Sequence, residues 1–126
     1  MKSILVSLLL SFSACGADLD GFFRALGKVE SSGNPKAVNK KEYALGLYQI
    51  RRAYWIDSGI KGKHEDVFNP IIAKKVCLAY FKRYAPQALK DGDWETLARC
   101  HNSGGLNYKK KHLTDAYWAK IQQHLR

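Results

Sequence analysis

Glu30-Ser31-Ser32-Gly33-Asn34-Pro35-Lys36-Ala37-Val38-Asn39, followed by Ala44-Leu45-Gly46-Leu47-Tyr48-Gln49-Ile50, ends an apolar helix on a carboxylate and then supplies an aromatic and an amide. Upstream of it, Leu19, Phe22, Phe23, Leu26 and Val29 recur at spacings of three and four, which predicts a helix with one buried stripe. Asp18 or Asp20 serves as its N-cap, and Gly33-Asn34-Pro35 stops it. Residues 34–46 are polar, with a Lys40-Lys41-Glu42 cluster, and are expected to form a loop or short hairpin.

Downstream the pattern stays helical. Gly46 to Asp57 reads as a second helix closed by Ser58-Gly59. Asn69-Pro70 opens a third, with Ile72, Ala73, Val76, Cys77, Tyr80 and Tyr84 inward and Lys74, Lys75 and Lys82 outward. Asp93 caps a fourth carrying Trp94, Leu97, Ala98 and His101, which Gly104-Gly105 ends. Thr114 caps a fifth, with Tyr117, Trp118, Ile121 and Leu125 inward. No run of strict alternation argues for a substantial sheet, so the expected fold is mainly α, about five helices with at most a small hairpin near residues 34–46.

The beginning of the chain differs in kind. Met1 to Ala14 holds one lysine, the apolar run Ile4-Leu5-Val6-Ser7-Leu8-Leu9-Leu10 and then small residues before Cys15, which reads as an export signal over residues 1–15. Ser13-Ala14-Cys15-Gly16 also fits a lipoprotein signal, although Phe12 stands where such signals carry Leu, so plain secretion and a lipid anchor at the cell envelope both stay open. Residues 16–126 then form one domain. The 21 Lys and Arg against 11 Asp and Glu give +10, and without Lys2 the remainder carries +9. Such a charge on an exported protein calls for an anionic partner, wall polymer or membrane surface, and the chain lacks a nucleic-acid recognition motif. Cys77 and Cys100 remain as a pair that an oxidising compartment would allow to bridge, or as two buried thiols.

Glu30 lies four residues after Leu26 and seven after Phe23 and so shares their apolar stripe. A carboxyl group there loses hydration and meets the negative end of the helix dipole, both of which favour the neutral acid. Such an acid can give its proton to a glycosidic oxygen.

The surrounding residues resemble the lysozyme-like superfamily of peptidoglycan-cleaving enzymes. Glu30 to Asn39 with Ala44 to Ile50 is similar to the soluble lytic transglycosylase pattern of catalytic Glu, Asn-Pro and Gly-Leu-Met/Tyr-Gln-Ile. Most of the chain resembles the invertebrate-type lysozymes, through Tyr48-Gln49-Ile50, Tyr54-Trp55-Ile56-Asp57-Ser58-Gly59, Ala73-Lys74-Lys75-Val76-Cys77, Ala98-Arg99-Cys100-His101-Asn102-Ser103-Gly104-Gly105 and Tyr117-Trp118. The resemblance implies an α+β lysozyme-like domain with Glu30 as catalytic acid and Tyr48, Gln49, His101 and Asn102 holding the sugars. It also implies a second carboxylate twelve residues on, where Glu42 stands; aligning on Gly46 instead puts Asn39 there. Lytic transglycosylases manage with one carboxylate, because the substrate's 6-hydroxyl closes onto the anomeric carbon to leave a 1,6-anhydro end. Unlike the disulfide-dense invertebrate-type lysozymes, this chain has Trp94 where they carry Cys.

The expected reaction is therefore cleavage of the β-1,4 bond between N-acetylmuramic acid and N-acetylglucosamine by a monomer without cofactor. His64, His101, His112 and His124 show no metal-ligand spacing. The rival is a non-enzymatic cationic binder of walls or membranes, using Lys109-Lys110-Lys111. If the positive charge steers the protein to anionic polymer, binding to intact walls weakens steeply between low and high salt while cleavage of short soluble fragments changes little. An equal salt response of both would remove steering as the role of the charge.

Overall fold

A computed structural model describes residues 17–125; the export signal expected at 1–15 and its Cys15 lie outside the described residues. Among the described residues, six α-helices and a minimal hairpin follow one another in the order α1 (Leu19–Ser31), β1 (Val38–Asn39), β2 (Ala44–Leu45), α2 (Arg52–Ser58), α3 (Pro70–Tyr84), α4 (Pro86–Asp91), α5 (Trp94–Ser103) and α6 (Asp115–His124). Short 3-10 turns fill His64–Phe68, Gly105–Lys109 and Lys111–Leu113.

The first helix forms as its sequence dictates. Asp18 Oδ1 accepts from the Gly21 amide at 2.8 Å, satisfying one orphan donor of the first turn. Ser32 takes the left-handed conformation at the other end, with φ 55°. Phe22, Phe23, Ala25 and Leu26 are buried in the core. Phe22 stacks on Trp94 of α5, ring centroids 5.3 Å apart, and leans on Phe81 of α3. Burying a side chain of this size contributes about 1.5–3 kcal/mol, so these aromatics join α1, α3 and α5 into one core.

The hairpin appears where the polar segment was expected, with Val38 opposite Leu45 and Asn39 opposite Ala44. The segment after it corrects the sequence reading. Gly46 to Gln49 is a tight turn and α2 starts only at Arg52. Leu45 and Ile50 exchange backbone hydrogen bonds of 3.1 and 2.9 Å across it, and Gly46 at φ 80° and Gln49 at φ 52° are left-handed. A helix through Gly46 would forfeit those bonds.

Two further corrections concern helix ends. The chain leaves α3 at Ala85 and begins a separate six-residue α4 at Pro86, where proline's missing N–H ends one helix and suits the first position of the next. In α3 Phe81 is fully buried while Tyr84, expected inward, is half-buried. Thr114 makes no side-chain cap to α6. Its hydroxyl donates to the Lys111 carbonyl at 3.3 Å and accepts from Arg99 at 3.1 Å. The buried Arg99 guanidinium also reaches Glu95, Asp115 and the Lys111 carbonyl, the last two at 2.7 and 2.8 Å. Burial opposes its charge, but Asp115 and Glu95 outweigh that and raise its pKa. Arg99 thereby fixes the start of α6 against α5.

Cys77 and Cys100 are separate buried thiols, not the bridge that an oxidising compartment would permit. Burial pushes each up to about 12, with Tyr54 partly offsetting this for Cys77.

Gly46 tests the turn. A Cβ added there would sit 2.7 Å from the Val67 carbonyl oxygen in addition to forcing an L side chain into positive φ. Gly46→Ala should destabilise the domain by about 3 kcal/mol, read as a lowered urea midpoint at unchanged slope.

Candidate active site

Glu30 occupies the last turn of α1, and that turn is tied down on the far side of the hairpin. The Ser31 hydroxyl bonds the Leu47 carbonyl at 2.8 Å and the Gly27 carbonyl at 3.1 Å, while accepting from the Asn34 amide at 3.0 Å. The Glu30 side chain is 18% exposed.

Two aromatic side chains meet it. The Tyr117 hydroxyl, from α6, donates to Glu30 Oε2 at 2.5 Å. His101 Nε2, from α5, lies 3.6 Å from the same oxygen. Among the described residues both contacts fall on Oε2, and Oε1 has no hydrogen-bond partner. Burial and the neighbouring Glu30 charge hold the Tyr117 phenol well above its ordinary pKa, so it remains a donor.

The backbone sets the tautomer of His101. Nε2 is 2.8 Å from the Tyr48 carbonyl, which can only accept, so Nε2 carries the proton. Nδ1 then accepts from the Tyr54 hydroxyl at 2.9 Å. Burial lowers the His101 pKa, and Arg51 works in the same direction against the opposing pull of Glu30 and the Tyr48 carbonyl. The ring is neutral at neutral pH. Tyr54 in turn stacks on Tyr80 at 3.6 Å, and the Tyr80 hydroxyl accepts from the Gly105 amide, so one aromatic column links the carboxylate to the loop after α5.

Glu30 borders a cavity of about 370 Å³. Ala53, Tyr54 and Asp57 of α2 form part of its wall, with Arg51 just ahead of them; His101, Asn102 and Ser103 of α5 and the following Gly104 to Asn107 form another part. Asn102 is half-buried, lines the cavity and makes no side-chain hydrogen bond among the described residues, leaving its amide available to a ligand. Gln49 also lines it, but its amide nitrogen is spent on the Gly46 and Ala37 carbonyls at 3.0 and 3.3 Å. Its amide oxygen is the part left for a ligand.

The remaining sequence candidates fall elsewhere. The Tyr48 ring is 5% exposed and packs against Phe23 in the core, bordering a second cavity of about 510 Å³ on another face of α1. Its contribution to the site is its carbonyl, not a sugar-stacking face. Glu42 does not line the cavity; its carboxylate bonds Arg51 Nε at 3.0 Å, with both side chains about half exposed. His101, expected to touch sugar, is 7% exposed and engaged with protein partners on both nitrogens.

Sequence reasoning treated Tyr117 as packing and passed over Arg51 and Asp57. A buried tyrosine needs a partner for its hydroxyl, which was the one available signal for Tyr117. Asp57 lines the cavity with its Oδ2 held by the Tyr84 hydroxyl at 3.0 Å and Arg83 4.0 Å from Oδ1.

Residues 17–125 match the Transglycosylase SLT domain family. The chain is 31% identical over 124 residues to a lysozyme from Magallana gigas, covering 94% of this chain and 90% of that one. It is 34% identical over 81 residues to Lysozyme 1 from Crassostrea virginica, covering 63% of this chain and only 44% of that longer relative. Among solved structures it is similar to a chain of the crystal structure of Aeromonas hydrophila PliI in complex with Meretrix lusoria lysozyme, with TM-score 0.70 and 28% identity over 86% of this chain and 91% of that one.

The depressed pKa of His101 has a definite sign. Below its ordinary value of about 6.5 the unfolded chain takes a proton that the folded chain refuses, so the associated stability is full above that value and lost as pH falls toward the lower folded pKa. Urea stability should therefore decline from pH 7 to 5.5, and His101→Asn should remove that part of the slope while lowering stability throughout. An unchanged slope in the variant would rule the linkage out.

Proposed function

The chain belongs to the transglycosylase SLT-domain family, and on that premise we propose that it cleaves the β-1,4 bond between N-acetylmuramic acid and N-acetylglucosamine in peptidoglycan, with Glu30 as the proton donor. The observation that carries this reading is the grip on Glu30: Oε2 is held by Tyr117 beside His101, and the residue borders a cavity lined by amide, hydroxyl and aromatic side chains.

Proton transfer to the leaving oxygen turns Glu30 into a carboxylate. The Tyr117 hydroxyl already donates to it, so that attraction grows as the charge develops and favours the transition state over the ground state, while the His101 N–H dipole, spent on the Tyr48 carbonyl, stands 3.6 Å away. The same carboxylate then takes a proton from the incoming nucleophile. Asn102 and the Gln49 carbonyl oxygen suit N-acetyl and hydroxyl groups. The Tyr54 ring lies in the wall, and the exposed Leu106 at the rim offers an apolar contact.

Hydrolysis is the reading favoured by similarity to lysozymes, and it gives Glu42 the part of second carboxylate, which requires it to leave Arg51. Intramolecular closure to 1,6-anhydro ends is the second reading, favoured because Glu42 is bonded to Arg51 and stands outside the cavity lining. Export belongs to the same proposal: residues 1–15 direct the chain to the cell envelope or beyond, and among the described residues no helix is long and apolar enough to cross a membrane. The domain acts as a monomer, with the glycan strand as its partner.

Glu30→Gln should keep fold and saccharide binding while lowering turnover at least a thousandfold, a loss of about 4 kcal/mol of transition-state stabilisation. Substantial wall lysis by the pure variant refutes the acid, and binding without lysis by the unsubstituted protein supports the cationic-binder rival. Mass spectrometry of the products decides the reaction: reducing muramic ends with at least tenfold impairment in Glu42→Gln support two carboxylates, anhydro ends support one.

A further inference from the structure

We propose that Arg51 is the specificity-determining residue that reads the free lactyl carboxylate of peptide-free muramoyl sugars, and that Glu42 holds its place when the cleft is empty. This rests on the peptidoglycan reading above and names how the site tells its two sugars apart.

N-acetylmuramic acid differs from N-acetylglucosamine by one added group, a lactyl ether whose carboxyl is a free carboxylate in peptide-free strands and an uncharged amide where a stem peptide is attached. Where that carboxyl is free, a cation within reach of the bound glycan distinguishes them by charge as well as by shape. Among the described residues lining the cavity, Arg51 is the one cationic side chain, and Glu30 and Asp57 are the carboxylates. Arg51 also lies near enough to the acid for its charge to be felt at His101, the neighbour of Glu30 Oε2.

The arrangement of charge along α2 gives this a direction. Arg51 is the N-cap residue and makes no side-chain capping bond, and Asp57 sits in the last turn. Six residues at 1.5 Å separate them by about 9 Å along one wall. A cation at a helix start and an anion at its end both oppose the helix dipole, so helix stability does not explain their placement. They polarise the wall once Glu42 is displaced: a carboxylate is drawn to the Arg51 end, while the Asp57 end, whose charge Arg83 partly offsets from 4.0 Å, presents no cation in the lining.

The Arg51 partner is suited to being displaced. The contact with Glu42 is a single 3.0 Å bond between side chains 57% and 46% exposed, and exposed pairs of this kind contribute little. A sugar carboxylate held in the cleft can take both guanidinium donors in a geometry Glu42 does not use. Glu42 is thus the partner that occupies Arg51 before substrate arrives.

The test is calorimetric binding in the Glu30→Gln background, which keeps the ligand intact. The probes are a peptide-free tetrasaccharide of alternating N-acetylglucosamine and N-acetylmuramic acid, and the tetrasaccharide of N-acetylglucosamine alone. Arg51→Gln should weaken the first at least tenfold and the second less than twofold, Arg51→Lys should recover only part of the difference because an ammonium keeps the charge but not the bidentate pair, and Glu42→Gln should leave the preference for the acidic saccharide in place. Equal losses on both probes, or none on either, overturn the role of Arg51 while leaving the Glu30 assignment standing. Turnover by the Glu30→Gln protein counts against that assignment alone, and failure of the unsubstituted protein to bind either saccharide counts against both.

Discussion

The hydrogen bond from Tyr117 to Glu30 Oε2 is the constraint on which the rest of the molecule bears. It joins residues 87 positions apart, so it exists only when α1 and α6 are brought together by the whole fold. The buried Arg99 cluster fixes where α6 starts, the aromatic core joins α1 to α3 and α5, and Ser31 ties the end of α1 to the turn after the hairpin. Loosening any of these joints would shift the carboxyl group relative to the Tyr117 hydroxyl and the cavity it borders.

The neutrality of His101 follows from the same frame. Its Nε2 faces a backbone carbonyl and its Nδ1 a tyrosine hydroxyl, so the surroundings satisfy both nitrogens of the uncharged ring and would leave a protonated Nδ1 facing a hydroxyl that must reverse its bond. The uncharged ring thus sets a dipole, and no charge, 3.6 Å from Glu30 Oε2.

Much of this was legible in the chain itself. The stripe of Phe22, Phe23 and Leu26 announced α1, Asn69-Pro70 announced α3, and the position of Glu30 on that stripe announced a partly dehydrated carboxyl group. The Gly46–Gln49 turn was not legible, because its cause is the pairing of Leu45 with Ile50 and the approach of the Val67 carbonyl, neither of which leaves a local pattern. Tyr48 was misread for a similar reason: the motif fixes its backbone near the site, while packing on Phe23 decides where its ring goes. Tyr117 and Arg51 matter through partners distant in sequence, which periodicity cannot register.

The two unbridged thiols bear on what happens after the fold is lost. Cys77 and Cys100 are unreactive while buried, since a thiol pushed up to about 12 holds almost no thiolate at neutral pH. Unfolding returns both to ordinary acidity in a chain whose native state has no use for a crosslink. Oxidation of the denatured chain then traps loops and dimers that cannot regain this core, so reversibility on heating and cooling becomes a property of the surrounding redox buffer more than of the domain's own free energy.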